Sequence, residues 1–112
     1  MIKTYVRANR KRGALSQGEL ANLLGKVSKD TVRRLETGRQ KPTLEMALAL
    51  EVVFGIPPQK LFPVLYDRIE EGVMARAKRF HEKLEAKNSA AAAQKRELLE
   101  AIPRGGIAKD GA

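Results

Sequence analysis

The chain contains no cysteine and has one histidine, His81, among its 112 residues. Without thiols it can form neither a disulfide framework nor a thiolate metal site, and one imidazole does not make a zinc cluster. We therefore expect no metal and no other cofactor. The fold must be stabilised by packing alone.

Long apolar runs and aromatic side chains are also scarce. No run approaches the roughly 18 apolar residues of a membrane span, and the N-terminus lacks the apolar segment of a signal peptide, so we expect a cytoplasmic protein. Aromatic residues make up 4% of the chain. Leucine, valine, isoleucine and alanine supply the apolar content instead, which favours packed helices. The composition predicts an all-α protein.

The signatures of catalysis are missing as well. The chain has no Gly-rich phosphate loop, no metal-ligand spacing and no nucleophile with an adjacent base. His81 lies in a charged, helix-forming stretch, and we interpret it as a solvated side chain. The sequence predicts that the protein is not an enzyme.

Positive charge is what the sequence has in excess, and it is concentrated near the N-terminus. The net charge is +9; residues 1–42 hold eleven Lys and Arg against three acidic residues, and residues 43–112 hold eleven against ten. A basic first third favours a polyanionic partner, although solubility or an anionic membrane would also explain the charge. The positions of the charges must decide between these explanations.

Helix start and stop signals divide residues 1–64 into five short helices. The first helix covers residues 2–12, and Ser16 with Glu19 forms a capping box that opens the second, which ends at Gly25. The third helix follows Ser28 and ends at Gly38. A fourth, capped by Thr43, is apolar nearly all round and is predicted to be the buried helix. A fifth begins at the Pro57-Pro58 pair.

Beyond this domain the sequence predicts a helical extension over residues 65–102 and a flexible tail over 103–112. An apolar stripe runs along the extension, and Asn88-Ser89 interrupts it. The members of the stripe are spaced by three or four residues: Leu65, Ile69, Val73, Ala77, Phe80 and Leu84. The stripe can pack back on the domain or against a second subunit, and we favour a homodimer.

Two short helices joined by a tight glycine turn, with alanine at the crossing and a basic second helix, describe a helix-turn-helix. Here the sequence reads Leu15-Ser16-Gln17-Gly18-Glu19-Leu20-Ala21, then Leu24-Gly25, Val27-Ser28, Thr31-Val32, Leu35-Glu36-Thr37-Gly38 and Pro42. This pattern resembles the Cro/CI-type (Xre) family of phage repressors over residues 3–62. The resemblance implies a five-helix, phage-repressor-like domain that binds double-stranded DNA and regulates transcription. Lys26 is one residue more than the family's turn usually carries.

Helical geometry selects the DNA-facing side of the third helix, over residues 29–37. Val32 and Leu35 point inward with Ser28 at 100° per residue, which leaves Asp30, Arg33, Arg34 and Thr37 on the opposite side and Lys29 on the flank near the N-terminus. Since a recognition helix enters the major groove by its N-terminal end, four of these side chains are predicted to read bases. These predicted base readers are Lys29, Asp30, Arg33 and Arg34. Lysine and arginine suit the O6 and N7 acceptors of guanine, and aspartate can accept from cytosine N4.

Six further residues are predicted to contact phosphates. They flank the reading helix in sequence and carry amide, hydroxyl or cationic groups: Gln17, Lys26, Ser28, Arg39, Gln40 and Lys41. A mobile basic loop is the alternative interpretation of residues 39–41. The family resemblance also implies an ion pair between Glu36 and an arginine of the first helix. The connection Gly13-Ala14-Leu15 leaves either Arg7 or Arg10 for that pair, and we choose Arg10.

Two other functions are compatible with the sequence. The protein could be an antitoxin-type module that binds a protein partner through residues 65–102 and autoregulates through the same helix-turn-helix. It could also bind RNA, although the major groove of A-form RNA is too narrow for a helix. The predicted function is that of a transcriptional repressor that binds double-stranded DNA.

Overall fold

The computed structural model describes residues 2–108, and within them all regular structure is helical. In the described part of the chain, seven α-helices are followed by one 3₁₀ helix at Ile102–Arg104. The α-helices are α1 Val6–Arg12, α2 Gln17–Leu23, α3 Lys29–Glu36, α4 Leu44–Phe54, α5 Pro58–Leu61, α6 Pro63–Leu84 and α7 Ala90–Ala101. The predicted all-α fold, with five helices followed by a helical extension, is confirmed.

Side-chain caps fix where the short helices begin. Ser16 Oγ accepts from the Glu19 amide at 3.0 Å, and Glu19 Oε1 accepts from the Ser16 amide at 2.8 Å, which completes the predicted capping box. These hydrogen bonds hold the pKa of Glu19 below its usual value. Ser28 Oγ accepts from the Thr31 amide at 3.0 Å and so starts α3.

The chain divides into two compact units after Asp67. The core of the first unit joins α1 to α5, and its members are Val6, Leu20, Ala21, Leu24, Val32, Leu50, Leu61 and Phe62. Ala21 is 4% exposed at the place where α2 packs on α3, because a small side chain lets the two helices approach closely. Leu35 is also fully buried on the inner face of α3.

The fourth helix is not the buried helix that its composition predicts. In α4 only Ala47 and Leu50 are buried, whereas Leu44 and Val52 are 74% and 85% exposed. A domain of about sixty residues has a small interior, so a peripheral helix can cover only one of its faces. The prediction of full burial was wrong because an all-round apolar pattern does not indicate which face lies inside.

The segment before α1 also differs from its prediction. Residues 2–5 precede the helix instead of belonging to it. The Ile2 amide donates to the Gly38 carbonyl at 2.9 Å, and the Tyr5 amide donates to the Leu61 carbonyl at 2.9 Å. These long-range hydrogen bonds hold the N-terminal segment to the ends of α3 and α5.

The second unit contains the C-terminal part of α6 and the antiparallel α7, joined by a short turn. Ser89 caps α7 by accepting from the Ala92 amide at 3.1 Å, and Arg96 Nη1 donates to the Leu84 and Lys87 carbonyls at 2.9 Å each. His81 Nε2 lies 3.0 Å from Glu100 Oε1, and the side chain of His81 remains 30% exposed. This contact crosses the helical hairpin.

The predicted apolar stripe is only partly covered. Leu65 packs on the core of the first unit, and Leu84 is buried in the second. Between them Ile69, Val73 and Phe80 are 57%, 40% and 45% exposed. Part of the stripe therefore remains available on the surface of the chain.

The tail begins with regular backbone hydrogen bonds. Residues 102–104 form the 3₁₀ helix, and the Gly106 amide donates to the Ala101 carbonyl at 2.9 Å. Residues 109–112 of the predicted flexible tail lie outside the described part of the chain. Over residues 2–108, none of the helices has the length and apolarity needed to span a membrane.

Candidate nucleic-acid interface

The turn between α2 and α3 accommodates its extra residue by a pair of left-handed backbone conformations. Gly25 has a φ of +100° and Lys26 a φ of +67°. Glycine adopts this region without steric cost, whereas a residue with a Cβ pays about 1–2 kcal/mol. Two successive left-handed residues let Val27 still pack against the core. The extra lysine thus lies in the turn and not within either helix.

A partly buried cluster of hydrogen-bonded side chains joins α1, α2 and α3. Arg10 Nε donates to Glu36 Oε2 at 2.5 Å, Arg10 Nη2 donates to Glu36 Oε1 at 3.2 Å, and Arg10 Nη1 donates to the Leu15 carbonyl at 2.8 Å. Hydrogen bonding to Glu36 raises the pKa of Arg10 above its usual value. The Glu36 side chain is 2% exposed. Of the two arginines open from the sequence, the structure places Arg10 against Glu36.

Gln17 joins the same cluster from the N-terminus of α2. Its amide nitrogen donates to Glu36 Oε1 at 3.1 Å, so part of this predicted phosphate contact already has a partner. Gln17 also lines a shallow pocket of about 280 Å³ with Lys29, Asp30 and Arg33. The pocket places the start of α2 beside the outer face of α3.

Two of the predicted base readers, Arg33 and Arg34, converge on the carboxylate of a third, Asp30, near the N-terminal end of α3. Arg33 donates to Asp30 Oδ1 from Nε at 2.9 Å and also from Nη2, and Arg34 Nη1 donates to Asp30 Oδ2. Hydrogen bonding from Arg33 lowers the pKa of Asp30, and the charges of both arginines act in the same direction. All three side chains are between 40% and 53% exposed. They form a charged surface with a net charge of +1.

Arg34 has additional partners that the sequence did not indicate. Its Nε donates to Gln40 Oε1 at 2.9 Å, and its Nη2 lies 3.4 Å from Thr31 Oγ1. Spacing on one helix predicts contacts at three and four residues, which covers Thr31 and Asp30. Gln40 lies beyond the end of α3, so helical periodicity gives no signal for it. Gln40 is predicted from the sequence to contact a phosphate, and Thr31 is not among the predicted site residues.

The remaining predicted contacts surround this surface. Ser28 caps α3 with its hydroxyl, while Lys29 at the first position of the helix is exposed. Lys26, Arg39 and Lys41 are exposed in the segments before and after α3. An exposed helix end with arginines and lysine, flanked by further cations, can donate hydrogen bonds to base edges and attract phosphates.

These features define a helix-turn-helix protein of the DNA-binding class. A family model described as helix-turn-helix matches residues 6–61, half of the chain. The chain belongs to the Xre/Cro-CI-type helix-turn-helix family, whose members are DNA-binding transcription regulators. No curated protein sequence matches it.

Proposed function

We propose that the protein is a sequence-specific repressor that inserts the N-terminal end of α3 into the major groove of double-stranded DNA. The observation that carries the proposal is the exposed arrangement of Lys29, Arg33 and Arg34 on the outer face of α3. On the inner face Val32 and Leu35 are fully buried, so α3 is presented with a defined orientation. Recognition helices enter the groove by their N-terminal end, where Lys29 lies, and the side chains of Arg33 and Arg34 lean back toward that end from the last turn of α3. These three side chains are therefore the base readers.

The donor chemistry of these residues indicates what they read. Nη1 and Nη2 of Arg34 each carry two N–H donors. One donor of Nη1 is used by Asp30 and one of Nη2 by Thr31, so each nitrogen retains one N–H for DNA. A pair of N–H donors matches O6 and N7 of guanine, and lysine can also serve these acceptors. The operator half-site therefore contains G·C pairs opposite Arg34 and Lys29.

Phosphate contacts position this reading helix. Arg39 and Lys41 follow α3 in an exposed loop, Lys26 precedes it, and Gln17 lies at the N-terminus of α2. Cations and helix N-termini on both sides of a groove-bound helix suit the two phosphate backbones that flank the groove. The concentration of net positive charge in residues 1–42 supports a polyanionic partner for this part of the chain.

Selection of bound sequences from a random duplex pool tests the proposal most directly. We expect a G·C-containing consensus with two-fold symmetry, bound more tightly than a shuffled duplex of equal composition. An RNA duplex of the selected sequence is the control and should bind only weakly, because A-form major grooves exclude a helix. Repression is then measured with a reporter under that operator. A chain that binds all duplexes alike would contradict the proposal.

The exposed apolar side chains of α6 support a second part of the proposal, which is homodimerisation. Ile69, Val73 and Phe80 lie along one side of the helix, where they can pack against the same stripe of a second copy. A different protein partner, as in the antitoxin alternative, would cover the same side chains. Co-purification of the chain with the product of its neighbouring gene would indicate a different protein partner, whereas a symmetric dimer of the chain alone would indicate a second copy.

A further inference from the structure

Asp30 lies where it can control the two arginines beside it, and this inference rests on the proposed DNA-binding function. Asp30 is the second residue of α3, and Arg33 and Arg34 follow it by three and four positions. Side chains on a helix lean toward its N-terminus, so both guanidinium groups reach back to the carboxylate from opposite sides. Each of the two carboxylate oxygens accepts from a different arginine.

We propose that Asp30 is not a base reader but a positioning residue that sets specificity by holding Arg33 and Arg34 in the orientation needed for DNA. Arg33 donates hydrogen bonds from both Nε and Nη2 to a single oxygen of Asp30, and this pair of bonds fixes the plane of the Arg33 guanidinium. Arg34 is held between Asp30 and Gln40. An ordered guanidinium loses less conformational freedom on binding a guanine edge than a mobile one does.

The same carboxylate also limits indiscriminate binding. One negative charge between two positive ones leaves a weaker attraction for phosphates, which are present in every DNA sequence. Contacts to a guanine edge depend on direction and are retained, whereas contacts to phosphates depend mainly on charge. Asp30 therefore raises the ratio of specific to non-specific affinity without touching a base.

The test compares Asp30→Asn with the unchanged chain on two probes. One probe is the duplex recovered by selection, and the other is a shuffled duplex of the same composition. We expect Asp30→Asn to strengthen binding to the shuffled duplex by about two- to fivefold, the range that one exposed ion pair can supply. Binding to the selected duplex should not gain, so that the affinity ratio falls. The salt slope on shuffled DNA should steepen by about one unit.

Two variants serve as controls. Glu45→Gln removes one exposed negative charge from α4 and matches the change in net charge without touching the arginines. It should leave the affinity ratio unchanged. Asp30→Glu keeps the carboxylate within reach of residues three and four positions away and should restore most of the ratio. Failure of Asp30→Glu to restore it would contradict a positioning role.

The free protein provides an independent measurement. In the unchanged chain the Nε–H signals of Arg33 and Arg34 should both exchange slowly with water in nuclear magnetic resonance spectra. In Asp30→Ala, which removes both acceptor oxygens, the Arg33 signal should exchange rapidly, whereas Arg34 retains Gln40 as acceptor and remains slow. If both signals remain slow, Asp30 does not hold Arg33 and the inference is wrong, even where the variant binds DNA poorly.

The failure of this inference can be told apart from failure of the proposed function. A chain that prefers no duplex over another would overturn both. A chain that selects a duplex, but whose Asp30→Asn variant keeps its affinity ratio, would overturn only the role of Asp30. If Asp30→Asn instead loses discrimination at a single C·G pair and does not gain affinity for shuffled DNA, Asp30 reads cytosine directly.

Discussion

Glu36 shows how a nearly buried charge can be accommodated in a small domain. Its carboxylate is 2% exposed and accepts from Arg10 twice and from Gln17 once. Three donors replace the water that the carboxylate loses, and the guanidinium compensates its charge. Removing one partner leaves a buried group unsatisfied, so the cost of breaking this pair from one side exceeds its net contribution to stability.

Arg10→Ala is therefore expected to lower the free energy of unfolding by about 1–4 kcal/mol. Glu36→Ala should cost a similar amount, and the double variant should cost much less than the sum of the two, because both charges are then absent. Urea titration followed by circular dichroism measures all three. Arg7→Ala, on the exposed side of the same helix, is the matched control and should stay within about 0.5 kcal/mol. Small, additive losses would mean that the two charges do not interact.

Base reading and phosphate binding predict different effects for arginines only five residues apart. Arg34→Ala should weaken binding to the selected duplex by about 1–3 kcal/mol and relax the preference at one base pair, with less effect on shuffled DNA. Arg39→Ala and Lys41→Ala should weaken both duplexes alike and reduce the salt slope by about one unit each. Fluorescence anisotropy titrations at several salt concentrations measure these changes. Equal losses for Arg34→Ala on both duplexes would exclude it as a reader.

Gly38 connects the end of α3 to the N-terminal segment. It has a φ of +74°, and a Cβ built on it would lie 2.0 Å from the Ile2 carbonyl oxygen. Gly55, at the end of α4, has a similar φ of +69° but open space around the added atom. The two glycines therefore share a left-handed conformation and differ in the approach of a neighbouring backbone.

This difference yields a prediction with an internal control. Gly55→Ala should lower the free energy of unfolding by about 1–2 kcal/mol, the cost of a left-handed alanine. Gly38→Ala should cost clearly more, because the Ile2 backbone must also move and its hydrogen bond to Gly38 at 2.9 Å is strained or lost. Thermal and urea unfolding of both variants give the comparison. Equal losses would show that the N-terminal segment does not contribute to stability.

The helices that the sequence predicts well are those whose ends carry local signals. The helix α2 begins where expected, at the capping box of Ser16 and Glu19, and α3 begins after its cap, Ser28. Both starts were predictable because a cap and its partner lie within three residues of each other. The exposed face of α4 was not predictable, since apolar residues surround the helix and only the other helices decide which side is covered. The pairing of Ile2 with Gly38 depends on residues far apart in sequence.

The contacts of the candidate site can also be separated into those that local spacing predicts and those that only the structure shows. The contacts of Asp30 with Arg33 and Arg34 follow from helical spacing and could have been predicted from the sequence. The acceptor that Gln40 offers to Arg34 lies outside the helix and required the structure. Lys26 was visible as an extra residue, but only the backbone shows that a left-handed conformation absorbs it.

At the scale of the whole molecule, one short helix with the three cationic base readers proposed above can specify few base pairs. Joining two such helices in a symmetric dimer lengthens the recognised sequence, and the second contact then occurs at high effective concentration. The exposed side chains Ile69, Val73 and Phe80 provide apolar area for such an assembly. Dimerisation and operator affinity should therefore depend on the same residues of α6.

Ile69→Asp and Val73→Asp are each expected to convert the dimer to a monomer, because a carboxylate in an apolar interface must be desolvated without a partner. Operator binding should weaken by more than about tenfold, since the two half-sites are then bound independently. Ala75→Asp adds the same charge to an exposed position on another side of α6 and should preserve both dimer and affinity. Light scattering at micromolar concentrations and titration with the selected duplex measure the two effects. A wild-type chain that remains monomeric, yet binds a two-fold symmetric operator with full affinity, would show that α6 does not form the dimer interface.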